Sequence, residues 1–249
     1  GVDFRHRTDK LFGNRVFEAN SYLLSSHNST QDDGTAFSLE LLYPNDLINA
    51  GATYYRIDED FDPKLGYVRR TGVNKFQNHV SWQPRFDNSQ VVRQAFLSYT
   101  NSIYANLGGG GETIENSVVL PRIMLESTDE IFLKYSHFRD NPDYNFLVPG
   151  AGTINEGDYE WNTITIGGGL SNKRKLGATA SVAIHDDWYD WDRTDYNLGF
   201  RWSINKHLLL STSHRYSHFE QEDVDEDVLL NSARLLVNIN PNMGLLNVV

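Results

Sequence analysis

The 249-residue chain contains no cysteine, which excludes both a disulfide framework and a thiolate metal site. No run of about 18 apolar residues occurs, so the sequence holds no transmembrane helix. A G-x-x-x-x-G-K-[ST] motif is also missing. The glycine run Gly108 to Gly111 has no lysine after it and reads as a flexible loop rather than a phosphate cradle. Positive charge is scarce: 22 Lys and Arg against 33 Asp and Glu leave a net charge of -11. A nucleic-acid partner, which would want a basic stripe, is therefore not expected. The opening residues GVDFRHRTDK lack the basic-then-apolar plan of a signal peptide and read as the middle of a strand. On that reading the chain is expected to be a fragment of something longer.

What the chain does have is aromatic and small polar residues. Aromatics reach 12%, and Tyr, Phe, Ser, Thr, Asn and Gly dominate where helices would carry Ala, Glu, Leu and Lys. Alternation with a period of two recurs. In TDYNLGFRWS, Tyr196, Leu198, Phe200 and Trp202 share one face, and Asp195, Asn197, Gly199 and Arg201 the other. ATASVAIH, NSARLLVNIN and KFQNHVSW behave alike, each a strand with one apolar and one polar face. No convincing helix is found.

The connections alternate between short and long. Turn signals fall at 9–14, 43–49, 83–89, 126–130, 171–175, 203–206 and 240–244. Longer connections are expected at 26–34, 57–72, 101–112, 139–158, 185–195 and 219–227. The long ones are acidic, the short ones carry Lys10, Arg85, Lys173, Arg174, Lys175 and Lys206, and Tyr43, Trp82 and Trp202 sit beside short turns. Short turns at one end, long loops at the other and an aromatic girdle describe a membrane barrel. The expectation is an all-β fold: an antiparallel up-and-down transmembrane β-barrel of about fourteen strands, not fully closed, forming one domain over residues 1–249. The competing architecture is a soluble β-sandwich, whose inner faces also alternate.

One stretch is more specific. Tyr54, Ile57-Asp58, Asp60-Phe61, Pro63, Gly66-Tyr67-Val68 and Arg70-Thr71-Gly72 resemble a signature of an uncharacterised Gram-negative outer-membrane barrel domain. That domain typically follows a carbohydrate-binding module similar to family 9. The closing NSARLLVNINPNMGLLNVV is similar to the same family's last strands, with Pro241-Asn242 where the family usually has Pro-Gly. The resemblance implies the barrel portion of a longer protein in the bacterial outer membrane, with a role in solute passage or surface scaffolding linked to carbohydrate uptake. It brings no established activity.

Candidate sites follow from the alternation. Arg5, Arg7, Arg56, Lys75, Arg93, Lys134, Arg201, Arg215 and Arg234 are expected on the polar faces and, in a barrel, lining the lumen. Arginine there would favour anionic or hydroxyl-rich solutes, although cross-strand pairing with acids is the plainer role. YSHF occurs twice, at Tyr135–Phe138 and Tyr216–Phe219. Adjacent strand residues point to opposite faces, so neither Ser-His pair is a nucleophile and its base, and no catalytic residue is assigned.

Asp58, Asp60 and Asp62 alternate like calcium ligands. Pro63 and Arg69 occupy the positions where an EF-hand needs Gly and Glu, so that loop is excluded. These acids are expected instead to pair with Arg69 and Arg70 as a loop clasp. In HDDWYDWD, Trp188, Tyr189 and Trp191 are candidates for stacking on sugar rings, and Asp186, Asp187 and Asp190 for weak Ca²⁺ binding. Otherwise no cofactor is expected. The partners expected are outer-membrane lipid and an oligosaccharide. The alternatives are a soluble carbohydrate-binding or glycoside-hydrolysing module, or a barrel enzyme acting at the rim.

Overall fold

The computed structural model describes all residues except 28–31, 65, 69, 110–111, 223, 241–242 and 249, and the side chains of 240, 243–244 and 246–248 are likewise left aside. The described residues form strands and connections, with no helix. The strands are β1 (Val2–Leu11), β2 (Arg15–Ser26), β3 (Gly34–Pro44), β4 (Ile48–Ile57), β5 (Val73–Trp82), β6 (Val92–Asn106), β7 (Glu112–Leu125) and β8 (Glu130–Asp140). A small hairpin, β9 (Phe146–Val148) and β10 (Gly152–Ile154), comes next. The series resumes with β11 (Tyr159–Gly169), β12 (Leu176–Asp186), β13 (Asp192–Ser203), β14 (Leu208–Gln221), β15 (Val224–Asn240) and β16 (Met243–Val248).

Fourteen of these make one sheet in chain order, with β11 following β8 and the β9–β10 hairpin set apart. Every pairing is antiparallel. This is the expected up-and-down meander. Among the described residues, no pairing joins β1 to β16.

Short turns lie at one end, as at 12–14 and 45–47, where Gly13 supplies a positive φ of 92°. The other end differs from expectation. The connections expected at 101–112, 185–195 and 219–227 shrink to 107–111, 187–191 and 222–223, because the strands run on. β6 has 15 residues, β14 has 14 and β15 has 17. The acids Glu220 and Asp225 to Asp227 therefore belong to a paired ladder, with Glu220 opposite Asp225 and His218 opposite Asp227. Turn chemistry alone marks where a chain can reverse, and ladder hydrogen bonds carry strands past acidic residues that read as loop.

Residues directly opposite in an antiparallel ladder share a face. Following the registers gives one face with Leu176, Val182, Ile184, Tyr196, Leu198, Phe200 and Trp202, all exposed. The opposite face carries Ser38, Ser81, Ser117, Ser136, Thr163, Asp195 and Ser217, all buried. Ser136 is 1% exposed, whereas Ile166 is 63% exposed. Among the described residues, eight hydrophobic side chains are buried and forty large ones are exposed. In water the hydrophobic effect drives the opposite arrangement, at about 25 cal/mol per Å².

Candidate functional site

The polar face is knitted by short side chains. Ser81 bonds Ser98 at 2.7 Å, and Ser117 bonds Ser136 at 2.9 Å. Near the loop end a separate set of polar side chains meets at Asp195. Its Oδ1 accepts from Ser217 Oγ at 2.5 Å and from Arg193 Nε at 3.0 Å, while Arg193 Nη2 stands 2.9 Å from Oδ2. His185 Nε2 lies 3.3 Å from Asp195 Oδ2, and His185 Nδ1 contacts Thr163 Oγ1 at 2.9 Å. Carboxylate, imidazole and hydroxyl thus stand in the order a nucleophilic site uses. Thr163 is only 5% exposed, however, and it lines neither the cavity around Ser81 and Ser98 nor the one around Ser38 and Tyr55. The group therefore acts as a cross-link of β11 through β14. The alternation in ATASVAIH already put His185 on the polar face, but its partners on other strands carry no local signal.

Most expected lumen residues lie on the polar face; Arg5, Arg7 and Lys134 face acids as the plainer expectation has it, and the others meet neutral groups. Arg5 and Arg7 share Glu18 at 3.4 and 3.3 Å, and Lys134 stands 3.7 Å from Glu115. Lys75 lies 4.9 Å from the Tyr104 ring centre and 5.8 Å from that of Tyr55. Arg215 Nε donates to Asn197 Oδ1 at 2.9 Å, and Arg201 Nη1 to Asn172 O at 3.1 Å. Arg234 is opposite Ser211 on the same face. Two expectations are corrected. Arg56 is opposite Phe37 and in step with Tyr54, which puts it on the apolar side at its loop end, 3.5 Å from Asp58. Arg93 is the extra residue of a bulge between Val92 and Gln94 and falls outside the alternation.

The clasp also differs from expectation. Asp58 Oδ2 accepts the Thr35 backbone N–H at 3.1 Å and the Thr35 hydroxyl. That hydroxyl, followed by the Thr35 N–H and Arg56, holds the Asp58 carboxyl below its usual pKa. A depressed carboxylate contributes stability above its unfolded value of about 4, and the contribution fades as pH falls through the folded value. Asp62 pairs with Lys64 at 2.5 Å, and its N–H donates to Ser26 Oγ at 3.0 Å. Arg70 turns away to Asn106 Oδ1 at 3.0 Å and to the Tyr104 ring. No ion pair of Asp60 is found among the described residues, and Arg69 lies outside them. The loop is instead anchored to the start of β3, where it crosses Gly34 so closely that a Cβ would meet Phe61 N at 2.2 Å.

The aromatic loop is a small core. Ala151, Ile154 and Phe219 are buried, with Phe146, Val148, Tyr159, Trp188, Tyr189, Trp191 and Val228 packed around them. Trp188 and Tyr189 meet edge to face at 4.9 Å, Trp191 meets Phe219 at 6.4 Å, and Arg193 lies 4.6 Å over Trp188. Tyr189 donates to Asp140 at 2.5 Å, and burial followed by that bond pushes its phenol pKa up. The expected sugar-stacking rings are therefore engaged with one another. Because Phe219 and Val228 belong to the polar face, the β9–β10 hairpin sits over its loop end.

Asp186, Asp187 and Asp190 do not come together among the described residues. The ligand atoms of His218, Glu220 and Asp225 do, all within 4.8 Å of one another. A mixed nitrogen and oxygen set suits a transition ion better than Ca²⁺, which takes six to eight oxygens.

Comparison with protein-family models, with curated proteins and with solved structures gave no match.

Proposed function

We propose that the chain is the membrane-spanning part of an outer-membrane β-barrel whose polar face lines a lumen used for solute passage, or whose loops display a surface scaffold. One observation carries the reading: the buried face is polar and the exposed face apolar. That inversion is unfavourable in water and favourable in lipid. The dimensions agree. On β15 the apolar face runs from Leu229 to Ile239, ten residues apart. That is about 33 Å along the strand, or roughly 25 Å of height at a tilt near 40°. The link to carbohydrate uptake and to the bacterial outer membrane draws on the resemblance of the segment around Ile57–Gly72.

Purification tests this directly. The protein should need detergent and should migrate faster on a gel before heating than after it. Discrete conductance steps in a planar bilayer would favour an open lumen over a plugged scaffold. A monomer that stays folded and soluble without detergent would overturn the proposal.

A further inference from the structure

The cavity around Ser81 and Ser98 holds about 360 Å³ and opens on the polar face of β4 to β7, toward the short-turn end. Three register rows build it. In the middle row Asn49 is opposite Ser81, Ser81 opposite Ser98, and Ser98 opposite Val119. The next row toward the loop end holds Gly51, His79 and Thr100, and the next toward the short turns pairs Phe96 with Arg122. His79 leans over Gly51, where a Cβ would meet its ring at 2.6 Å, and its Nε2 bonds Asn49 Oδ1 at 2.7 Å. Small serine side chains thus lie between larger rows on either side, and that difference in size leaves the opening.

Arg122 reaches this cavity through a bulge. Phe96 pairs with Arg122 and Ser98 with Val119, so a single residue of β6 faces Leu120 and Pro121 of β7. The extra residue reverses the alternation and turns Arg122 onto the polar face, in step with Val119. Proline suits the bulge because it has no N–H to give the ladder. Arg122 Cζ lies 4.1 Å from the Phe96 ring centre, a cation–π contact that holds the guanidinium in place. Its Nη1 stands 4.0 Å from Glu130 Oε2, beyond hydrogen-bond reach, and no hydrogen bond of Arg122 is found among the described residues.

The other unspent groups are chiefly donors. The Ser81 and Ser98 hydroxyls, 2.7 Å apart, have a proton each and share a single bond, so one proton remains. Asn49 Nδ2 and the hydroxyl of exposed Thr100 have no partner among the described residues. Among the described residues no carboxylate lines the cavity, in a chain whose net charge is -11. A cation finds no counter-charge there, and a neutral solute gains nothing from the guanidinium. An oxyanion uses both the charge and the donors, since its oxygens accept from the guanidinium fork and from the hydroxyls beside it. We infer that the cavity between His79 and Arg122 is a binding subsite for the carboxylate or phosphate group of an anionic solute. The inference deepens the solute-passage reading and rests on it for the solute's route to the site.

Phosphorus NMR relaxation of inorganic phosphate and saturation-transfer NMR on succinate, each with the detergent-solubilised protein, test it and tell the two anionic groups apart. At least one of the two should bind, and neutral sorbitol should not. Arg122→Gln should weaken binding about tenfold, and Arg122→Lys less, because the charge remains without the fork. Glu130→Gln should tighten it by removing a competing acid, and Ser98→Leu should abolish it by filling the opening. Arg215→Gln, on the same face but far along the sheet in β14, should leave it unchanged. Heat-modifiable migration of every variant separates loss of the site from loss of the fold. A folded, detergent-requiring protein that binds neither anion overturns this inference alone and leaves the barrel reading standing. Equal losses in Arg122→Gln and Arg215→Gln would overturn it too, because a diffuse field rather than a site would then hold the anion.

Discussion

The tetrapeptide YSHF appears twice, in β8 and in β14, and the two copies share a geometry but not an environment. In each, the tyrosine and histidine project on the apolar side and meet one side chain of the next strand. Tyr135 donates to Asn162 Oδ1 at 2.6 Å, with His137 Nδ1 at 3.2 Å from the same atom. Tyr216 donates to Asp227 Oδ1 at 2.7 Å, with His218 Nδ1 at 2.9 Å. Strand alternation forces this likeness, and position along the strand puts both triangles near the loop end. On the other face the copies diverge. Phe138 stacks on Trp161 at 5.1 Å, whereas Phe219 is 2% exposed beneath the β9–β10 hairpin. Ser136 bonds a neutral serine, and Ser217 a carboxylate. The tetrapeptide sets direction, and the neighbouring strand sets chemistry.

The largest difference should come from the phenylalanines. Phe219→Ala should cost about 3–5 kcal/mol at the loop core and release the hairpin. Limited proteolysis would show new cleavage near residues 146–154. Phe138→Ala should lose only a half-buried stack, worth about 1 kcal/mol beyond its area, and leave that segment protected. Equal cleavage in both variants would mean that Phe219 does not hold the hairpin.

The serines come next. Ser217→Ala removes a bond to an ionised group, about 1.5–3 kcal/mol, and Ser136→Ala removes a neutral one, about 0.5–1.5 kcal/mol. Urea or guanidinium midpoints in detergent would rank them, and the reverse order would contradict the assigned partners. The smallest effect is expected for Asp227→Asn, which converts the second triangle into the first. His218 and Tyr216 keep an acceptor oxygen, so stability should stay within measurement error at neutral pH. A marked loss would show that the charge, not the geometry, holds that corner.

Much of this frame was legible from alternation alone. Tyr196 to Trp202 and Ala178 to Ile184 reveal their faces without any partner strand, and the short turns are marked by Gly, Asn, Pro and basic residues. Arg56 shows where the rule is easily misapplied. Its charge suggests the polar face, yet Tyr54, Ala52, Ala50 and Ile48 count it onto the apolar one, at a strand end where a long cation can reach water. The Asp195 network was not legible. It joins residues up to 54 positions apart on four strands, and which ones meet depends on registers set by the turns. The acidic stretch at 219–227 misled for a related reason: loop-like composition was overridden by pairing with a neighbour.

The central claim is that the apolar face meets lipid. Because the chain lacks cysteine, single cysteines can be placed at each position from 194 to 202 and spin-labelled without a background mutation. In protein reconstituted into bilayers, oxygen accessibility should peak at Tyr196, Leu198, Phe200 and Trp202 and fall at the positions between them. A water-soluble nickel chelate should show the inverse pattern at Asn197, Gly199 and Arg201. High chelate accessibility at Leu198 and Phe200, or no period of two, would contradict the account.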